Sequence, residues 1–197
     1  MAGPLVGLLL AAGQGSRFGS DKLLHRLPDG TPLAVAAAHN LHPACDRVIA
    51  ILRPGNEVLG ELLSAAGCET LICPAAESGM GHSLAAGVQA SPQAAGWLVA
   101  LADMPFIAPT SHQAVAASLR AGASLAACEY HGRRGHPVGF AGHWFVQLSA
   151  LTGDQGGRAI LEAHRQELIL CPVDDPGVLR DIDRPKDLGG NSQCQRT

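Results

Sequence analysis

Between positions 10 and 23 the chain reads Leu10-Ala11-Ala12-Gly13-Gln14-Gly15-Ser16-Arg17-Phe18-Gly19-Ser20-Asp21-Lys22-Leu23. Glycines at 13, 15 and 19 let backbone N–H groups come close to an anion, and Arg17 and Lys22 add two positive charges from the same loop. Together they suit a triphosphate. A Walker A loop needs Gly-Lys followed directly by Ser or Thr, whereas Gly19 and Lys22 are separated here and Leu23 follows. A dinucleotide fingerprint starting at Gly13 needs Gly or Ala at position 18 and an acidic residue ending the second strand. Phe18 and the pair Leu52-Arg53 stand at those places.

Apolar runs of strand length alternate with helix-length segments, which predicts βαβ units and a mostly parallel sheet. The expected strands are 5–12, 47–52, 69–73, 97–101, 125–130, 137–140 and 168–172. The expected helices are 33–40, 57–66, 81–89, 109–121, 144–151 and 157–164. The first and fourth strands are apolar on both faces, as central strands covered by helices must be, and are expected to be neighbours. Ligands of such sheets sit outside the carboxyl ends of the strands. Three chemically loaded segments fall there: Gly13 to Lys22, Cys73 to Ser83, and Asp103 to Pro105.

The chain has 197 residues, 47% hydrophobic and 16% charged, with a mean hydropathy of +0.14, which excludes a largely disordered chain. We expect one domain over residues 1–188 and a frayed, disordered tail over 189–197. A net charge of −3 leaves no extended nucleic-acid surface and no polybasic membrane patch. Leu5 to Ala12 has no preceding Lys or Arg and is too short to span a bilayer, so a cytoplasmic protein without a targeting segment is expected. The six cysteines are scattered, with no Cys-x-x-Cys, and read as reduced thiols.

The loop pattern Leu-Ala-Ala-Gly-x-Gly-x-Arg-x-Gly-x-x-Lys-Leu resembles that of the molybdenum-cofactor nucleotidyltransferases. The resemblance extends to Gly79-Met80-Gly81-His82-Ser83-Leu84-Ala85-Ala86-Gly87, similar to the base-recognition segment of the molybdenum cofactor cytidylyltransferases. It continues in Arg134-Gly135-His136-Pro137-Val138, in Gly153-Asp154-Gln155-Gly156-Gly157-Arg158 and in Asp181-Ile182-Asp183-Arg184-Pro185-Lys186-Asp187-Leu188, which look like acceptor and second-metal segments. The ordered set runs from residue 5 to residue 188.

That resemblance implies a three-layer, Rossmann-like nucleotidyltransferase fold and transfer of CMP from CTP to the terminal phosphate of molybdopterin. It implies Leu10, Ala11, Ala12, Gly13, Gly15, Arg17, Lys22, Gly79, Met80 and Ser83 around the nucleotide, with His82 beside Ser83 at the base or ribose. Arg17, Lys22 and Asp103 would be catalytic, His136, Asp154 and Arg158 would face the acceptor, and Asp103 and Asp183 would hold Mg2+, with Asp181 competing for the second place. Ala12, where guanylyl members have glycine, implies CTP over GTP. The implied partners are these two small molecules and a recipient molybdoenzyme, with neither nucleic acid nor membrane.

Plainer readings compete. Asp103 can cap a turn, His136 can be an ordinary loop histidine, and Asp181 and Asp183 can cap a helix starting near Pro185. Gly157 stands where the resemblance leads us to expect alanine, an exchange costing the next helix about 1 kcal/mol at most. Two other functions fit the same letters: a guanylyltransferase or a nucleotidyltransferase for another small phosphate, and a non-catalytic molybdenum cofactor carrier.

Overall fold

A computed structural model of the chain describes residues 3–13, 22–183 and 187. The apolar runs form a seven-stranded sheet: β1 (Leu5–Leu10), β2 (Arg47–Leu52), β3 (Glu69–Ile72), β4 (Gly96–Leu101), β5 (Leu125–Tyr130), β6 (Arg133–Ala141) and β7 (Leu168–Pro172). Their spatial order is β3-β2-β1-β4-β6-β5-β7, and every pairing is parallel except the two made by β6. The helices are α1 (Leu33–Leu41), α2 (Glu57–Ala65), α3 (Met80–Gln89), α4 (Pro109–Arg120), α5 (Phe145–Ser149) and α6 (Arg158–Ala163).

Alternation along β1 explains the three layers. Leu5 and Leu9 pack with Leu41 of α1, Leu59 and Leu63 of α2, and Val115 of α4. Val6, Leu8 and Leu10 point the other way, among Leu84 and Val88 of α3, Leu148 of α5 and Leu161 of α6. A strand with no polar position is what two covered faces demand. The three-layer α/β architecture with a mostly parallel sheet is therefore as the sequence predicts, and β1 and β4 are neighbours in register from Leu5↔Gly96 to Leu10↔Leu101.

The sixth strand departs most from its expected bounds. It begins at Arg133, not Pro137, because Gly135 and Pro137 interrupt the apolar pattern while β5 still pairs with it at Tyr130↔Arg133 and Glu129↔Arg134. His136 is thereby a strand residue and not a loop histidine. Gly157 also gains a reason: a Cβ there would lie 2.6 Å from the buried ring of Phe140, so alanine would force that ring aside. The described cysteines are all free thiols, and burial pushes those of Cys45 and Cys128 up to about 12. No described helix is long and apolar enough to cross a membrane.

His112, in the first turn of α4, is 2% exposed. Burial brings its pKa down to about 4, opposed by the charge of Asp175 and reinforced by His136. The unfolded chain takes up that proton near pH 6.5, so between the two values it binds more protons than the folded chain. Stability should therefore fall as pH drops from about 6.5 to about 4, by roughly 3 kcal/mol from this group. Urea unfolding at pH 7 and pH 4.5 checks this, with His112→Gln expected to flatten the dependence. Equal slopes for the two proteins would show that His112 is not the group responsible.

Candidate active site

Strand order reverses between β1 and β4, the first leading to β2 and β3 and the second to β6, β5 and β7. The crevice beyond their carboxyl ends is where such sheets bind ligands. Ala102 N–H donates to the Leu10 carbonyl at 3.1 Å, extending the ladder by one step before Asp103 leaves the sheet. Its loop is pinned by Met104 N–H to the Leu101 carbonyl at 3.2 Å and by Asn40 Nδ2 of α1 to the Pro105 carbonyl at 2.9 Å.

Lys22 opens a single 3-10 turn, Lys22–Leu24, anchored by the buried Leu23. Its ammonium donates to Asp103 Oδ2 at 2.8 Å and to Asp183 Oδ1 at 3.3 Å. Asp183 arrives from the segment after β7, where Ile182 N–H donates to the Asp103 carbonyl at 2.9 Å. Two carboxylates 80 residues apart in sequence thus share one cation. Burial alone would lower the Lys22 pKa, but the hydrogen bond and charge of Asp103, then those of Asp183, outweigh it and raise the net value. Lys22 therefore stays charged throughout the neutral range.

Asp103 Oδ1 is buried and has no hydrogen-bond partner among the described residues. A buried carboxylate oxygen left in that state calls for a cation or a donor from a ligand. Among the described residues no three His, Cys, Asp or Glu side chains gather as a complete metal cage. One or two carboxylates completed by phosphate oxygens and water are nonetheless the usual provision for Mg2+. Asp103 and Asp183 fit that pattern, whereas Asp181 does not reach Lys22 and acts electrostatically on His136.

Two adjoining cavities, each about 320 Å³, open here. The first is lined by Leu10, Ala12, Gly13, Lys22, Gly79, Met80, Ser83 and Asp103. Ala11 is instead turned into the core on the α1 side by strand alternation. Gly15 and Arg17 lie outside the described residues. The second cavity has an apolar floor that includes Val99, Val138 and Phe140, with Arg134, His136 and Arg158 on its walls. Leu10, Met80, Leu101 and Asp154 border both.

The partition depends on Gly79 and Gly81. Gly79 has φ 127°, and Gly81 N–H donates to the Gly153 carbonyl at 2.7 Å, which brings Asp154 over the rim. His82 turns away from both cavities into a separate groove with Ile72 and Leu151. Burial lowers the His136 pKa, against the charge of Asp103, so its ring is neutral at neutral pH, and Nδ1 has no partner among the described residues. Arg158 is exposed and pairs with Glu162 at 2.6 Å, so a ligand has to compete with that carboxylate for it. Sequence reasoning missed Glu77, which lines the first cavity, and gave no role to Arg134 in the second. The β-strand alternation Arg134, His136, Val138 was the available signal for the latter.

The model of the MobA-like NTP transferase domain matches residues 7–168, which takes in most of β1, all of β4 and the crevice between them. The chain belongs to that family. Its activity class is accordingly nucleotidyl transfer. It is similar over 193 residues to the purine catabolism protein PucB of Bacillus subtilis (strain 168), 28% identical with 93% of each chain covered. It is 29% identical to the nicotine blue oxidoreductase of Paenarthrobacter nicotinovorans over 188 residues, 91% of this chain and 92% of the other. Among solved structures, Rv0371c of Mycobacterium tuberculosis H37Rv superposes with a TM-score of 0.81 at 26% identity, covering 95% of this chain and 96% of that one. The same protein in complex with manganese has a TM-score of 0.77 at 24% identity, covering 93% and 95%.

Proposed function

We propose that this family member acts as one domain over residues 1–188, in the cytoplasm, and transfers CMP from CTP to the terminal phosphate of molybdopterin. An acceptor phosphate oxygen bonds to the α-phosphorus of CTP as the bond to the bridging oxygen breaks, and pyrophosphate leaves. The products are molybdopterin cytosine dinucleotide and pyrophosphate. The observation behind the reading is the orphaned Asp103 Oδ1 on the wall of the first of two adjoining cavities, this one beside Lys22 and the other beside Arg134, His136 and Arg158.

Such a transfer needs no protein nucleophile, since catalysis consists of alignment and charge neutralisation. Asp103 and Asp183 would hold a divalent cation, Mg2+ in our reading, which supplies positive charge to the phosphate oxygens when bound. Lys22 places a fixed charge on the phosphates, and Arg17 of the same loop is assigned to the departing pyrophosphate. Gly13, Gly15, Gly79, Met80 and Ser83 surround the nucleotide, while His136 faces the acceptor and Asp154 and Arg158 close over it. The product then passes to a recipient molybdoenzyme.

Ala12 lines the first cavity, and its methyl group favours the smaller base. One such group is worth a preference of roughly 10–200-fold. The deciding measurement is Mg2+-dependent pyrophosphate release from CTP, GTP, ATP and UTP, each with and without molybdenum-loaded molybdopterin. Release from CTP, and only with the pterin, is expected. Release from GTP would overturn the base assignment and keep the chemistry, and no release from any would move the reading to another acceptor phosphate or to a carrier.

A further inference from the structure

The segment that follows β7 runs back along the loop that follows β4 and is tied to it from end to end. At one end, the Asp175 carboxylate accepts from Ala108 N–H at 2.8 Å and from the Ser111 hydroxyl at 2.7 Å through Oδ2, and from Gly177 N–H at 2.9 Å through Oδ1. Next, Gly177 lies so close to the Phe106 carbonyl that a Cβ would stand 2.1 Å from its oxygen. The Arg180 guanidinium then sits 4.2 Å above the Phe106 ring. At the other end, Ile182, fully buried, donates its N–H to the Asp103 carbonyl at 2.9 Å. Asp183 is the following residue.

We infer that Asp175 is a positioning residue for the carboxylate pair at Lys22: it seats the strap 175–182 against the loop 103–108 and so sets where Asp183 stands relative to Asp103. The inference rests on the nucleotidyltransferase reading, in which that pair holds the cation. The Asp183 side chain is 49% exposed and bonded to Lys22, and its backbone is placed by the strap that delivers it, through Ile182 N–H to the Asp103 carbonyl, together with Asp183 N–H to Asp187 Oδ2 at 3.2 Å. That backbone is anchored at Asp175, whose carboxylate accepts two hydrogen bonds from the start of α4, from Ala108 N–H and the Ser111 hydroxyl, and a third from Gly177 N–H within the strap itself. Groups that fix where a metal ligand stands commonly govern affinity for the ion, and Asp175 does so here through the strap.

Asparagine cannot replace Asp175 in this role. Whichever way its amide lies, the NH2 group faces either Ala108 N–H or Gly177 N–H, both of which need an acceptor. Ser111→Ala removes only the hydroxyl and keeps both backbone bonds. The test is Mn2+ binding, read from the resonance of free Mn2+, with a CTP analogue carrying a methylene bridge between its α- and β-phosphorus atoms. Asp175→Asn should weaken Mn2+ binding by about tenfold or more. Ser111→Ala should weaken it in the same direction by about three- to fivefold. In both variants the Mn2+ requirement of turnover should rise by the same factor, with turnover at saturating Mn2+ nearly preserved.

A purely architectural Asp175 would lower the melting temperature and leave Mn2+ affinity alone, and that result in both variants overturns the inference. Should Asp175→Asn fail to fold, Ser111→Ala decides by itself. A wild-type chain that does not bind Mn2+ with the analogue would instead remove the carboxylate-pair reading, and the inference with it.

Discussion

Asp103→Asn should lower pyrophosphate-releasing turnover by about 10³-fold or more while the chain still folds. The substitution keeps the volume and an oxygen that can accept from the Lys22 ammonium at the site of its present 2.8 Å bond. Lys22 also keeps Asp183, so its buried charge is not abandoned. That matters because removing one partner of a buried pair is costly mainly when the other is left uncompensated. What disappears is the negative charge on a buried oxygen with no other partner among the described residues. Turnover at saturating Mg2+, set beside a thermal melt of the same preparation, separates the two effects. Turnover within tenfold of wild type would remove Asp103 from the chemistry, and loss of fold would make Lys22–Asp103 a structural pair first.

The contrast between Asp103 and Asp183 also shows where sequence reading stops. Asp103 was legible because it directly follows an apolar run with no polar position, and chain order places such an acid at the carboxyl end of a central strand. The sheet itself was legible for the same reason, since β1 and β4 are apolar on both faces. The meeting of Asp183 with Lys22 spans 161 residues and comes from the strap's hydrogen bonds to the loop 103–108, which no periodicity encodes. Nothing in the spacing of Asp175, Ser111 and Gly177 announces that they share one carboxylate. The strand carrying His136 was shortened because glycine and proline break the pattern, although pairing on both sides carries the strand through them. His82 and Ser83 are adjacent in sequence, yet helical rotation puts only Ser83 on the cavity wall.

Gly79→Ala is the second substitution expected to act strongly. The residue has φ 127°, a conformation in which any L side chain is strained by about 1–3 kcal/mol. The added Cβ would also stand 2.3 Å from the Gly153 carbonyl carbon and 2.7 Å from Asp154 Oδ1. Backbone cannot rotate away as a flexible side chain can, so the clasp between the start of α3 and residues 153–154 has to open. We expect a loss of about 4 kcal/mol or more, and a melting temperature lower by about 10 °C or more. Because that clasp is the partition between the two cavities, the KM for the nucleotide should rise by about tenfold or more even in the fraction that stays folded. Gly153→Ala provides the control. It too has a positive φ, 67°, but an added Cβ meets nothing within 4 Å, so only the conformational cost of about 1–2 kcal/mol remains. Equal losses in the two variants would mean that φ alone matters at Gly79. A much larger loss at Gly79, with the KM rising only there, would establish that the close approach of these two segments builds the wall between nucleotide and acceptor.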